Sequence, residues 1–299
     1  MTSNQASDRK PSEFSQLESV RVTTLDGTAF AVRMLPQSDP DAPVVLILPA
    51  MIMKAKFYLP LAKALHGAGL SVAMVDLRAQ GESTPPLSEA PNFGYRELVE
   101  VDLPAVVDAV SQRFPHAPLH LFGHSLGGQL ALLFTAAQPD RVAGVTMIGT
   151  GTVYWKAFGP RNWLEALWKI QWIGLVSAVR GQWPGGVLIP GQMAGRVMTD
   201  WARHSRTSRY QPHGTNRDYD RLLRQLKVPV LAISLDQDTL GPKSNVDFLC
   251  GRLPAAEVTR WHIEDGAAVK HRDHFEWIKD SAVIGSAAAA WITTGPRPE

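Results

Sequence analysis

The feature that most constrains this chain is an alternation of short apolar runs with amphipathic helical stretches. Val44–Leu48 is wholly apolar, as expected of a strand buried on both faces. Leu70–Val75, Leu119–Phe122, Val142–Ile148, Val228–Leu235 and Val258–Ile263 read as further strands. Helices are expected from about Phe57 to His66, with Gly67 as a stop, and through Leu103, Val106, Val107, Val110 and Phe114, with Pro104 as a point of kink or restart. Others follow at Leu126–Ala137, at Lys243–Leu253 and from about Phe275 to Ile292. Near the start, Val20–Leu25 and Thr28–Leu35 flank Asp26-Gly27, a hairpin signal. Such alternation predicts an α/β fold, a mostly parallel sheet covered by helices on both faces.

The rhythm breaks once. Between Gly149 and Gln225 no strand–helix alternation is visible, and the stretch holds Trp155, Trp163, Trp168, Trp172, Trp183 and Trp201. The expected organisation is therefore a flexible tail over 1–16, a core formed by 17–148 and 226–293, a Trp-rich cap insertion at 149–225 and a short tail at 294–299. An insertion at the carboxyl edge of such a sheet lies over the crevice where these folds bind ligands.

Composition removes several alternatives. Hydrophobic residues are 45% and charged residues 19%, a globular balance rather than a disordered one. The net charge of +2 gives no reason to expect nucleic acid or an anionic membrane as partner. No apolar run approaches the ~20 residues of a membrane span, and the polar N-terminus has no signal core, so the expected location is cytoplasmic. Cys250 is the only cysteine, cannot form an internal disulfide and is expected to be a buried structural thiol.

The most informative stretch is Leu119-His-Leu-Phe-Gly123-His124-Ser125-Leu126-Gly127-Gly128. A Gly-x-Ser-x-Gly pattern alone is weak, but here an apolar strand enters and an apolar helix leaves. A sharp strand-to-helix turn forces the serine into a strained backbone conformation that small neighbours tolerate. Its hydroxyl then stands at the sheet edge beside a helix N-terminus, whose partial positive charge favours a developing oxyanion.

In this stretch the sequence resembles the α/β-hydrolase superfamily. Asp76-Leu-Arg78-Ala-Gln-Gly81-Glu-Ser83 is similar to that family's Asp-x-Arg-Gly-x-Gly-x-Ser loop, with Ala79 in place of the first glycine. The loop after Val44–Leu48 sits where the family builds its oxyanion hole, and the closest likeness is to lipase, esterase and peptidase-like members with helical caps. The resemblance implies a serine nucleophile followed in chain order by an acid and a histidine. Register picks Asp238 as the acid, two after Asp236 and four before Pro242, with Asp236 as runner-up. His66, His116, His120, His124, His204 and His213 precede the acid, and His262 lies inside a strand. His274, followed by Phe275 before the last helix, is the expected base, and His271 is the alternative. The oxyanion donors are expected to be the main-chain N–H groups of Leu126 and Met51, with Ala50 as second choice. Pro49 has no N–H, and Pro49-Ala50 replaces a His-Gly common in relatives.

The implied activity is hydrolysis of a carboxylic ester or related acyl bond through an acyl-Ser125 intermediate, with no cofactor and no metal. The tryptophans, Met51, Ile52 and Met53 favour a small apolar acyl substrate. Arg203, Arg206 and Arg209 are either a solvated face or an attractor for an anion. Acyltransferases, amidases, peptidases and carbon–carbon bond hydrolases share this triad, and a non-catalytic receptor is the alternative of a different class. The sequence does not specify an oligomeric state.

Overall fold

The computed structural model describes residues 12–90, 92–187 and 189–295. In chain order the strands are β1 (Glu18–Thr23), β2 (Ala29–Leu35), β3 (Val44–Leu48), β4 (Ser71–Met74), β5 (Leu119–His124), β6 (Gly144–Ile148), β7 (Gln182–Trp183), β8 (Met193–Ala194), β9 (Val230–Leu235) and β10 (Val258–Ile263). Eight of them form one sheet in the order β1-β2-β4-β3-β5-β6-β9-β10. β2 runs antiparallel to both β1 and β4, and the remaining neighbours are parallel. The Asp26-Gly27 turn joins β1 to β2, with Gly27 at φ 86°.

The pleat of β3 shows why a wholly apolar run was needed. Val44, Leu46 and Leu48 point into one core, and Val45 and Ile47 into the other. The first core lies under the helices Leu103–Arg113, Leu126–Ala137, Tyr219–Gln225 and Lys243–Cys250. The second lies under Leu59–Gly67 and Ser281–Thr294, where the Cβ of Ala64 approaches Gly285 so closely that a side chain there would collide with it. Pro104 marks a restart rather than a kink. A π-turn at Leu98–Asp102 precedes it, and the proline falls in the first turn of its helix, where a missing N–H is harmless.

β3 continues to β4 on one side, while β5 lies on its other side, so the strand order reverses there. The loops after β3, β5, β6, β9 and β10 all leave the same carboxyl edge, where open α/β sheets bind ligands. Between β6 and β9 lie the long helix Trp163–Arg180, the two-stranded β7–β8 ribbon and the helices Gly195–Thr207 and Tyr219–Gln225. Tyr219 and Leu223 of the last helix are fully buried in the core beneath Leu126–Ala137.

Two boundary expectations shift. Glu13–Gln16 forms a helical turn that buries Phe14 against the second core, so this end of the expected 1–16 tail is ordered by an apolar anchor. The rest of that tail, residues 1–11, lies outside the described residues, as do 296–299 of the C-terminal one. The last helix extends through Thr294.

Candidate active site

Every residue from Leu119 to Ala136 is buried except Ser125. The strand-to-helix turn thus delivers one hydroxyl out of an otherwise closed layer. Ser125 has φ 52° and ψ −115°, a region that non-glycine residues avoid. The flanking glycines permit it. A Cβ on Gly123 would lie 2.3 Å from Gly128 Cα, and one on Gly127 would lie 2.1 Å from the Leu48 carbonyl oxygen. Ser125 N–H donates to the Ile148 carbonyl (3.1 Å), tying the turn to β6.

Asp238 and His274 meet at 2.8 Å, Oδ2 to Nδ1. Asp238 is buried, and its other oxygen accepts the N–H groups of Leu240 (2.9 Å) and Gly241 (2.7 Å). Those two bonds fix the carboxylate plane toward the imidazole. The runners-up are engaged elsewhere. Asp236 accepts from Arg272 Nε at 2.7 Å, and Arg272 also reaches Asp265 at 2.9 Å. His271 Nδ1 lies 3.1 Å from Asp280, whose carboxylate also accepts the His271 N–H. His262 pairs with Ser234 Oγ inside the sheet (2.9 Å). Ser125, Leu126, Asp238 and His274 line one cavity of about 810 Å³, together with Ala50, Met51 and Ile52 from the loop after β3.

That loop has a support sequence reasoning missed. Tyr58 is fully buried, and its Oη accepts the Ala50 N–H at 2.9 Å. Oη also lies 2.7 Å from His124 Nδ1 and donates to Met53 Sδ (3.5 Å). Trp277 Nε1 donates to His124 Nε2 at 3.4 Å, so Nε2 accepts and the Nδ1 proton faces Tyr58. Burial holds the His124 pKa well below the ordinary histidine range; the charge of His274 acts in the same direction, and a hydrogen bond to the His274 backbone acts against both. Because the Ala50 N–H is engaged by Tyr58, Met51 is the next donor along the loop. Among the described residues none accepts a bond from Met51 N–H. Ile52 sits at φ 64°, a strained conformation for a β-branched residue.

The Asp76 segment is a scaffold. Asp76 accepts the N–H groups of Ala55 (2.7 Å) and Glu82 (2.8 Å), and a Cβ on Gly81 would collide with its carboxylate. Ala79 adopts φ 61°, the conformation for which glycine is the usual residue. Gly149 sits at φ 56°, and a Cβ there would press on the pair, 3.0 Å from Asp238 Oδ2 and 3.3 Å from His274 Nδ1.

The tryptophans do not form the cavity's wall as a group. Trp201 alone of the six lines it, beside Val153, Phe158, Ile170, Ile173 and Ile189. Trp183 is buried, Trp155 and Trp163 rest on each other (4.8 Å), and Trp168 and Trp172 face outward. Arg203 and Arg206 are exposed and bond Gln211 O (3.3 Å) and Gln171 Oε1 (3.0 Å). Arg203 and Arg209 border a separate polar concavity of about 790 Å³.

Comparison with known proteins fits this geometry. The eight-stranded sheet and its flanking helices are an α/β-hydrolase fold, and the chain is an α/β-hydrolase. Residues 39–268 match the model of the serine aminopeptidase S33 family, and the chain belongs to that family. Human monoglyceride lipase is 32% identical over 91 residues, a stretch that covers 30% of this chain and 29% of that protein. Among solved structures, DcsB in complex with its substrate analogue superposes with a TM-score of 0.67 at 16% identity, covering 93% of this chain and 99% of the other. Mouse alpha/beta hydrolase domain-containing protein 10 gives 0.64 at 15% (92% and 98%). Est1E from Butyrivibrio proteoclasticus, bound to ferulic acid, gives 0.62 at 12% (92% and 98%). Among the described residues no helix is long and apolar enough to cross a membrane.

Proposed function

We propose that the protein hydrolyses carboxylic esters of small, largely apolar acyl groups through an acyl-Ser125 intermediate. The observation that carries this reading is the Asp238–His274 pair at 2.8 Å in the cavity that Ser125 also lines. His274 takes the Ser125 proton as Oγ attacks the acyl carbon and returns it to the departing alcohol; a water then repeats the sequence in reverse. Asp238 holds the imidazole tautomer and stabilises its charge. The N–H groups of Met51 and Leu126 receive the oxyanion, and one such donor is typically worth about 10²–10³ in rate.

The cavity wall favours an ester over the free N-terminus of a peptide. Its carboxylates are Glu165, Asp236 and Asp238, and each already has a partner: Lys169, Arg272 and His274. None is left to hold a substrate ammonium. The segment from β6 through the helix Gly195–Thr207 serves as the cap, and its Val153, Phe158 and Ile170 suit an apolar acyl chain.

Fluorophosphonate labelling tests the nucleophile: wild type should label and Ser125→Ala should not. A folded wild type that fails to label refutes the serine mechanism. p-Nitrophenyl esters of rising chain length, set against aminoacyl p-nitroanilides, test the substrate class. Faster turnover of the anilides would replace the esterase reading with a peptidase one.

A further inference from the structure

The outer face of the helix Trp163–Arg180 carries an exposed apolar stripe that the proposed chemistry leaves unused. At about 100° per residue, Leu164, Trp168, Trp172, Leu175 and Val179 fall within about 80° of arc. All five are exposed, Trp168 by 71% and Val179 by 79%. The opposite face is buried through Ile170, Ile173, Gly174 and Ser177, and Gly174 lets Ala202 of the neighbouring helix approach closely. A helix on the surface of a globular protein is expected to be apolar on one side only.

Charge and position point to what covers this face. Residues 155–181 hold Lys156, Arg161, Lys169 and Arg180 against one acid, Glu165, which pairs with Lys169. Arg206 reaches the stripe's edge by bonding Gln171. The overall charge of +2 conceals this local excess, which is why composition gave no hint of an anionic surface as partner. Trp168 and Trp172 lie 6.5 Å apart, a pair of rings with apolar bodies and polar N–H groups suited to a membrane interface. The same helix gives Ala166, Lys169 and Ile170 to the cavity wall, and exposed Val187, Leu240 and Phe275 line that cavity too.

We propose that this helix face is a docking surface for an anionic lipid bilayer, with Trp168 and Trp172 seated at headgroup depth. A second copy of the chain fits less well. A two-fold pairing of the helix with itself sets like charge on like in either sense, Arg161 against Arg180 when antiparallel and each against its own copy when parallel.

The test uses the full chain and vesicles of phosphatidylcholine alone or with about one-third phosphatidylglycerol. Wild type should co-float with the mixed vesicles, more weakly as salt rises, and brominated lipid should quench its tryptophan fluorescence. Trp168→Ser with Trp172→Ser should weaken partitioning by about tenfold or more. Arg161→Glu with Arg180→Glu should abolish the preference for phosphatidylglycerol. Both variants should keep the wild-type unfolding midpoint and p-nitrophenyl acetate kcat/KM. The quenching measurement needs no variant, so a folding defect in either leaves the proposal testable. It is overturned if wild type ignores both vesicle types, if the tryptophan variant binds as wild type does, or if ultracentrifugation finds a dimer that this variant dissociates without any vesicle binding.

Discussion

Tyr58→Phe removes one oxygen and deprives the site of three contacts. The Ala50 N–H loses its acceptor at 2.9 Å, His124 Nδ1 its partner at 2.7 Å and Met53 Sδ a weak donor. Ala50 is 1% exposed and His124 fully buried, so water does not readily replace the lost group. A stranded buried donor costs roughly 1–3 kcal/mol, so the two stronger losses together should lower unfolding free energy by roughly 2–6 kcal/mol. The kinetic effect is separate. Deleting an oxyanion donor outright costs about 10²–10³ in kcat; here Met51 N–H is misplaced rather than deleted, so a loss of about 10–100-fold is expected. KM should change little, because the ground-state carbonyl uses these donors less than the tetrahedral intermediate does. Urea unfolding, steady-state ester hydrolysis and the second-order rate of fluorophosphonate labelling measure the three quantities. If stability falls while kcat stays within about twofold of wild type, Tyr58 supports the fold and not the oxyanion loop, and the reasoning fails.

Gly149→Ala should lower kcat by about 10-fold or more with a stability loss of about 1–2 kcal/mol, since its Cβ meets both members of the Asp238–His274 pair at a positive φ; wild-type kcat would refute it. Asp238→Asn should cost about 10⁴ in kcat whereas Asp236→Asn leaves kcat within about tenfold, and the reverse ranking would exchange their roles. Burial lowers the pKa of His120 to about 4 and of His204 to about 3, against an ordinary 6.5, and holds His124 low as well. The unfolded chain therefore binds more protons below pH 6.5, and stability should fall as pH drops from 6.5 toward 4, by about 1.4 kcal/mol per pH unit for each neutral histidine. Urea titrations that give a flat profile between pH 6.5 and 5 would contradict this. Burial also raises the Cys250 thiol to about 11, so its reaction with Ellman's reagent at pH 8 should be about 100-fold slower than that of a free thiol, and rapid labelling would show an exposed, activated cysteine instead.

What the sequence revealed of the site depended on how local each signal was. The turn around Ser125 needs glycines within two positions, and both are consecutive text beside an apolar strand and helix. In the sequence, Asp238 and His274 stand apart from Asp236 and His271 only by register, because the contacts that engage the alternatives are distant in the chain: Arg272 takes Asp236, and Asp280 takes His271. Strand positions survived translation into structure because burial on both faces demands unbroken apolar runs, which few other structures require. The tryptophans are less legible for a complementary reason. An aromatic-rich segment declares that apolar area must be covered, not what covers it, and helix Trp163–Arg180 uses one face inward and leaves another outward. The Tyr58–His124–Trp277 contacts had no signature at all. Chain order sets His124 aside as a base, yet its ring joins the Ser125 turn to Tyr58 and Trp277, from segments 66 and 153 residues away. Such a network exists only once β5, the helical turn after β3 (Ala55–Tyr58) and the one before the last helix (Glu276–Asp280) are packed together. With Pro49-Ala50 standing in place of the family's His-Gly, that packing, rather than the loop's own sequence, holds Ala50 and leaves Met51 N–H free.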